Sequence, residues 1–549
     1  MGIATNWIKP PTVIRGLDHL GTQGPCIVIY SQLFPGITNV TDRARYYSFF
    51  PWLIWSFDRR TSKEASFDTF LEHYRRADCL FTLIAERHAR VSKDNPARHG
   101  PAMVGRDNLV PAVDLIDSGR SLRLSTYATR DDVPSRYFLN KLGGLGQYYA
   151  GTLTQLELLS TKTKPWLGYT ETRGRQIAEA FESGVPGAEF WEAVENDEIS
   201  GETLDALHAF CPCCLPTQSE EQAVLLDTFF DRQADFGEEG GQRRKSFAVV
   251  LHLAKALSDT GATELDEFTF RSAVYARSLA GVAEWDVPVS LESTVSAWSY
   301  YVRNDVFSVA VQTAFAIGLT ALAAESRPAA SIEDLARSIS DLPSVSRALR
   351  ALKVDTFGEL CESLRADAPQ LHQVASTDHE LAWFAARVSA RTDEDDRAPA
   401  FLASVVRILA LLHTRDDAIR APYGHLAIDA EQLKDSPINL ASFRLRCGAW
   451  KELPLRNVVE ELLAWCFEAH LHVALRKLRQ NSRSTFRLIP SERGIEPRGD
   501  IPPPAKTTPR FRQAVRILRD VGALDQVQTD RDQYIVTALG DALCAAAHE

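Results

Sequence analysis

Apolar residues recur at the spacing of an α-helix through the middle of the chain, and this periodicity limits the possible folds more than any other feature. Polar breaks separate the periodic segments, and the alternation that marks strands is scarce. The segments are residues 220–234, 245–258, 268–283, 292–324, 331–350 and 400–415. We therefore predict a mainly α-helical protein, which at 549 residues is long enough for several domains.

Three stretches rich in charge or proline predict joints between domains, at residues 235–245, 391–397 and 498–509. The last contains three consecutive prolines, which favour an extended spacer. The predicted organisation is an N-terminal mixed, mostly helical domain (1–235), a helical middle domain (245–430), a basic helical segment (431–500) and a winged-helix-like module (505–549).

The module at the carboxyl end is predicted from the order of its elements. A helical pattern follows Pro509 and stops at Gly522, two short strand-like runs come next, and a last helix begins near Ala538. Helix, hairpin and helix in this order are typical of the end of a winged-helix unit, so we expect a small α+β module there.

The most apolar long run, residues 306–324, is nearly long enough to cross a bilayer. Polar residues such as Gln312 interrupt it, and Arg303 and Asp305 precede it closely, which favours a buried helix and no membrane partner. Nine cysteines in so long a chain do not resemble a secreted disulfide framework. No signal-peptide pattern is visible at the amino end, so a cytoplasmic location is expected.

No catalytic signature occurs in the chain. Residues 16–22 have the glycine spacing of a phosphate-binding loop but lack its lysine. The stretch HAFCPCCLP offers zinc-binding atoms from four side chains, His208, Cys211, Cys213 and Cys214. A closed zinc site normally combines two separated pairs, and no second pair lies nearby in sequence, which favours buried thiols. We therefore expect no metal, no cofactor and no catalytic residue.

A concentration of positive charge near the carboxyl end contrasts with the net charge of −11 for the whole chain. Twelve basic and three acidic residues lie between Leu471 and Arg519. Such a segment attracts phosphates through counterion release, and arginine suits forked contacts to phosphate oxygens. The residues predicted to bind nucleic acid are Arg476, Lys477, Arg479, Arg483, Arg487, Lys506, Arg510, Arg512, Arg516 and Arg519. The alternatives are pairing with the acidic remainder of the chain or docking to a partner protein.

The stretch LFPGITNVTDRARYYSFFPWLIW, residues 33–55, places six aromatic residues among ten, directly after Arg43 and Arg45. The apolar run is too short for a bilayer. Its ordinary interpretation is a core segment whose two arginines pair with carboxylates. The alternative is a functional face formed by Arg43 and Arg45.

This stretch is similar to a segment of the form lFPGtsxxxTRARYfxFvPWi in uncharacterised bacterial proteins encoded near helicases and methyltransferases in phage-defence islands. Asp42 stands where that pattern has threonine. The blocks GGLGQYY (143–149) and YYVRNDVFSVAVQ (300–312) resemble further segments of the same group. The similarity occurs in patches over the first 320 residues or so and brings no established active site.

The resemblance implies an accessory component of a bacterial antiviral system. Together with the basic segment, it predicts a DNA-binding or scaffolding subunit of a multi-subunit complex, with double-stranded DNA and a partner helicase or nuclease as the expected partners. Two alternatives stay open. One is a metal-dependent nuclease whose carboxylates assemble only in the fold, and the other is an adaptor that binds only proteins.

Overall fold

Helices dominate the computed structural model. It describes residues 18–61, 66–161, 167–261, 264–279, 281, 283–324, 329–389, 397–416, 436–481, 484–527 and 533–547. The α-helices of the first half are Gly24–Leu33, Tyr46–Arg60, Phe67–Val91, Arg106–Asp117, Leu124–Ala128, Ala150–Gln155, Arg173–Glu182, Gly187–Asn196, Gly201–Ala206, Ser219–Phe230, Gly237–Asp259 and Glu267–Ala276. Those of the second half are Val289–Ala324, Ile332–Ser340, Pro343–Arg350, Phe357–Asp367, Glu380–Ser389, Leu402–Thr414, Leu440–Trp450, Leu455–Asn481, Phe511–Asp520 and Ala538–Ala546. The mainly helical prediction is confirmed.

The strands are short and pair only as antiparallel two-stranded sheets in the described part of the chain. The pairs are Leu122–Arg123 with Glu198–Ile199, Leu159–Ser160 with Gly168–Tyr169, Ser278–Leu279 with Ala283–Glu284, Leu488–Ser491 with Gly494–Pro497, and Leu524–Gln526 with Tyr534–Val536. The predicted helix at 268–283 therefore ends at Ala276, and a hairpin follows it.

The described residues fall into two compact units, each assembled from separate parts of the sequence. The first unit draws on Met1–Tyr30, Arg271–Asp286 and Val295–Thr507, and the second unit on Ser31–Phe270, Val287–Thr294 and Thr508–Glu549. The proline-rich joint at 498–509 has no helix or strand and contains a boundary between units. The other predicted boundaries differ from these, because contacts between segments distant in sequence leave no mark on local composition.

The joint predicted at 235–245 is instead largely the beginning of the helix Gly237–Asp259. Glu238 and Glu239 lie in its first turn, where acidic side chains interact favourably with the helix dipole. Arg243 is buried and donates hydrogen bonds to the carbonyls of Thr228 and Phe229. Dense charge in this stretch thus belongs to a packed helix. Of the joint predicted at 391–397, residues 391–396 lie outside the described residues.

The core of the second unit is built around the aromatic helix Tyr46–Arg60. Every side chain from Tyr46 to Phe57 is buried. The rings of Phe49 and Phe81 stack with centroids 3.9 Å apart, and the Tyr46 ring stacks on Phe50 at 4.9 Å. Aromatic side chains each remove about 150–250 Å² from water on burial. The core interpretation of this stretch is therefore confirmed.

The long apolar run lies within the helix Val289–Ala324. By length and composition this helix could cross a membrane, but 83% of its most apolar window is buried inside the protein. That burial is typical of a core helix, and the expected buried helix at 306–324 is confirmed. Within the first unit, the buried Asp305 pairs with Arg271 at 2.8 Å.

The carboxyl end has the predicted order of helix, hairpin and helix, formed by Phe511–Asp520, the paired strands and Ala538–Ala546. Gly522 has a φ of +82°, which lets the chain leave the first helix, and Thr537 caps the last one by accepting from the Gly540 amide. Residues 528–532, between the two strands, lie outside the described residues.

Candidate metal centre and nucleic-acid interface

Arg43 and Arg45 are both fully buried in the second unit. Arg43 Nε lies 2.8 Å from Asp520 Oδ2, and Arg45 is paired with Glu221 at 2.9 Å. Burial by itself lowers the pKa of Arg43, but the Asp520 carboxylate raises it more, so the net shift is upward. The predicted pairing with carboxylates is thus confirmed. The alternative of a functional arginine face is wrong, because neither guanidinium reaches the surface.

The remaining donors of these two arginines are directed at two backbone segments. Arg43 donates to the carbonyls of Arg98, His99 and Pro101. Arg45 donates to the carbonyls of Ala209 and Cys211. Because buried carbonyls need partners, each arginine fixes the course of one irregular segment. Three members of a cluster of cysteine and histidine side chains lie in or next to these two segments, and the fourth, His88, lies in the helix Phe67–Val91.

The cluster consists of His88, His99, Cys211 and Cys213. One potential ligand atom from each of these side chains lies within 4.8 Å of the others. The Nδ1 atom of His99 is 3.2 Å from Cys211 Sγ, and the Nδ1 atom of His88 is 3.3 Å from Cys213 Sγ. Within the described residues this is the only such group of three or more side chains that could share an ion.

The elements that carry these residues explain their convergence. His88 lies in the last turn of the helix Phe67–Val91, which begins with Ser66 accepting from the Thr69 amide. His99 directly follows the short 3-10 helix Pro96–Arg98, and Cys211 and Cys213 lie at the start of the turn Pro212–Thr217. A helix end and two tight turns therefore present the four side chains to one point.

Burial within the cluster is uneven. His99 and Cys211 are fully buried, whereas His88 and Cys213 are half-buried. The Nε2 atom of His99 is buried without a hydrogen-bond partner. Burial lowers the pKa of His99 to about 4, aided by the neighbouring His88, so its imidazole is neutral at pH 7. A neutral imidazole is the form that binds metals.

Two of the four cysteine and histidine residues singled out in the sequence are not in the cluster. Cys214 Sγ is 3.7 Å from Cys213 Sγ but contacts the carbonyl of His208, and His208 Nδ1 is bonded to the carbonyl of Asp205. The partners that sequence reasoning missed are His88 and His99. Ten residues separate them, more than the usual spacing within a zinc-binding pair, so motif spacing gave no signal.

The predicted nucleic-acid ligands are divided between the units, and in the second unit most are engaged within the chain. Arg516 pairs with Asp42, and the buried Arg519 lies 3.4 Å from Asp520. Arg510 donates to the Phe34 carbonyl and the Ser31 hydroxyl. Arg510 and Arg516 thus attach the helix Phe511–Asp520 to residues 31–42, and Arg519 is buried, which corrects the predicted role of all three as groove-facing contacts. Arg512 is exposed.

In the first unit, Lys477 is also part of the interior. It is buried, and its amine donates to the carbonyl of Asp18. Burial lowers its pKa, opposed by Asp18. Arg483 lies outside the described residues. Arg479 and Lys506 are exposed, and Arg476 and Arg487 are half-buried. The predicted set therefore retains a solvent-accessible part, mainly near the end of the helix Leu455–Asn481 and the hairpin that follows.

The hairpin Leu488–Pro497 adds two exposed arginines, Arg493 and Arg498. Next to the last paired residues, Leu488 and Pro497, the chain places Arg487 opposite Arg498. The amide of Arg498 donates to the carbonyl of Arg487 at 2.8 Å. Among the described residues, no carboxylate lies within ion-pair distance of Arg479, Arg487, Arg493 or Arg498. We call these four side chains the basic hairpin patch. Like charges directly opposite each other destabilise a sheet.

His470 attaches this hairpin to the long helix. Its Nδ1 bonds the carbonyl of His19 at 3.0 Å, and its Nε2 accepts from the Arg487 amide at 2.8 Å. Both bonds require the neutral ring with its proton on Nδ1. Burial lowers the pKa of His470 to about 4, which matches that requirement.

No protein-family model, no curated protein and no solved structure matches this chain.

Proposed function

We propose that the chain is a DNA-binding or scaffolding subunit of a bacterial antiviral defence system. It engages phosphates through the basic hairpin patch and docks a partner enzyme, such as a helicase or nuclease. The resemblance of residues 33–55 to phage-defence-island proteins supports the biological context. We also propose that the carboxyl-terminal module, residues 505–549, is a winged-helix-like module of this DNA-binding subunit.

The observation that carries the proposal is the unpaired charge of the patch. Residues 471–507 contain eight basic and three acidic residues. Arg487 and Arg498 are neighbours across the hairpin, and neither has a carboxylate partner among the described residues. A sheet gains nothing from two adjacent like charges, whereas a bound phosphate oxygen would offset their repulsion and accept their hydrogen bonds.

The test is a mobility shift with duplex DNA across a salt series. We compare the intact chain with the double variant Arg487→Gln/Arg498→Gln and with the matched control Arg347→Gln/Arg350→Gln. The control removes two exposed arginines from the same unit, at the end of the helix Pro343–Arg350. Point variants are preferable to truncation, because removing the carboxyl end would delete Asp520 and leave Arg43 buried without its partner.

Each phosphate neutralised on duplex DNA contributes about −0.9 to the slope of log affinity against log salt. We expect the patch variant to reduce that slope by about 1.8 and the control to leave it unchanged. Binding by the intact chain that is insensitive to salt, or equal slopes for the two double variants, would contradict the proposed interface.

A further inference from the structure

We propose that His88, His99, Cys211 and Cys213 form a closed zinc site that stabilises the second unit. Each side chain supplies one ligand atom, and two thiolates with two imidazoles make a set that suits tetrahedral Zn²⁺. Four protein ligands leave no open position for water or substrate, so the role is structural. The site is separate from the basic hairpin patch, and neither proposal depends on the other.

The distances fit a tetrahedral ion. With Zn–S bonds of about 2.3 Å and Zn–N bonds of about 2.0–2.1 Å, neighbouring sulfur and nitrogen ligands lie about 3.5 Å apart. The two sulfur–nitrogen distances in the structure, 3.2 and 3.3 Å, are close to this value. No two of the four ligand atoms are more than 4.8 Å apart.

Charge favours the same ion. Two thiolates neutralise a divalent cation, and two neutral imidazoles complete the shell without adding charge. A neutral complex avoids most of the cost of placing an ion in an interior as dry as that around His99 and Cys211.

The two buried arginines support the site without touching the ion. Arg43 donates to the carbonyl of His99, and Arg45 donates to the carbonyl of Cys211, so each fixes the backbone of one ligand. Such outer contacts orient the ligands of metal sites. The RAR sequence of residues 43–45 thereby acquires a role in assembling the site.

The experiment measures zinc per chain by elemental mass spectrometry on the full-length protein after gel filtration under reducing conditions. We compare the intact chain with Cys213→Ser and His88→Gln, which change the half-buried ligands and so disturb packing least. The controls are Cys214→Ser and His208→Gln, the same residue types immediately beside the cluster.

We expect one zinc per chain in the intact protein and in both controls, and at least a fivefold loss in both ligand variants. In the intact protein, a strong chelator should lower Tm by roughly 5 °C or more, and added zinc should restore it. This second measurement holds even if a ligand variant folds poorly. Metal-free intact protein whose Tm does not respond to zinc, a different metal at the site, or equal loss in the controls would overturn the proposal.

Discussion

Asp520 accepts a hydrogen bond from Arg43 Nε at 2.8 Å, across 477 residues of sequence. The same oxygen also accepts a hydrogen bond from the Ala44 amide at 3.1 Å. One carboxylate at the end of the helix Phe511–Asp520 therefore neutralises the arginine and satisfies a backbone amide just before the aromatic helix. The carboxyl-terminal module is therefore an integral part of the second unit.

Replacing Arg43 by methionine should lower the free energy of unfolding by about 3–5 kcal/mol, because the buried Asp520 loses its 2.8 Å partner and keeps only Arg519, at 3.4 Å, as a charged contact. The double variant Arg43→Met/Asp520→Leu should lose less than Arg43→Met alone, since it removes both charges. Urea unfolding measures each variant. Arg175→Met, which breaks only exposed pairs with Glu171 and Glu179, is the control and should cost less than about 1 kcal/mol.

The glycine pair in the block GGLGQYY serves a buried carboxylate. Gly144 donates its amide to Asp78, and Gly143 has a φ of +47° in which an added Cβ would lie 2.2 Å from Asp78 Oδ2. Gly143→Ala should therefore cost roughly 2–4 kcal/mol of stability. The control Gly151→Ala, at a helical position with open space around it, should be neutral or slightly stabilising in the same thermal or urea unfolding assay.

Acid should weaken the attachment of the basic hairpin. The pKa of His470 is lowered by burial from 6.5 to about 4, so the unfolded chain binds its proton first as the pH falls. Stability from this group is fully present above about pH 6.5 and is lost progressively between pH 6.5 and 4. Its loss between pH 7 and 5 should be roughly 2 kcal/mol.

The measurement is urea unfolding of the intact chain and of His470→Gln at both pH values. The pKa of His19 is also lowered by burial, to about 3, so the intact chain should show additional pH dependence beyond that of His470. Because His470 also helps to lower the pKa of His19, the difference between the two proteins gives the contribution of His470 together with its coupling to His19. Identical pH dependence in both would show that His470 is not held neutral by the fold.

Two neighbouring basic residues should behave differently toward DNA. Arg479→Gln removes an exposed charge of the basic hairpin patch and should reduce the salt slope by about 0.9. Lys477→Met changes a buried amine that contacts the Asp18 carbonyl, so it should leave the slope unchanged while lowering stability. Equal effects of the two variants in the mobility-shift series would mean that burial does not decide which charges contact phosphate.

Local patterns were sufficient to predict several helices in the middle of the chain and the order of elements after Pro509. Helical periodicity identified the helices Ser219–Phe230, Val289–Ala324 and Leu402–Thr414 because each buries one or more of its faces, and that leaves a repeat in the sequence. The aromatic stretch was recognisable as core from the density of its aromatic residues, six among ten. Charge density alone gave a wrong prediction at residues 235–245, where a domain joint was expected. Arg243 is buried there and, like Arg43, donates to backbone carbonyls, so the charged stretch is part of a packed helix.

Relationships between distant segments could not be predicted. Asp520, Glu221 and Asp42 carry no local mark of their partners Arg43, Arg45 and Arg516. Pairing with carboxylates was expected for Arg43 and Arg45 without the identity of the partners, whereas Arg516 was expected to contact DNA and is instead paired within the chain. The metal ligands are similarly scattered. Counting charged residues along the sequence gives the net charge of a segment such as 471–519. It does not show which of those side chains are exposed to a ligand, because the fold determines that.

X-ray absorption at the zinc edge determines whether the four scattered side chains surround one ion. We expect a spectrum of the purified full-length protein fitted by two sulfur atoms at about 2.3 Å and two nitrogen atoms at about 2.0–2.1 Å. A spectrum fitted only by oxygen and nitrogen ligands, or one unchanged by Cys213→Ser, would contradict it.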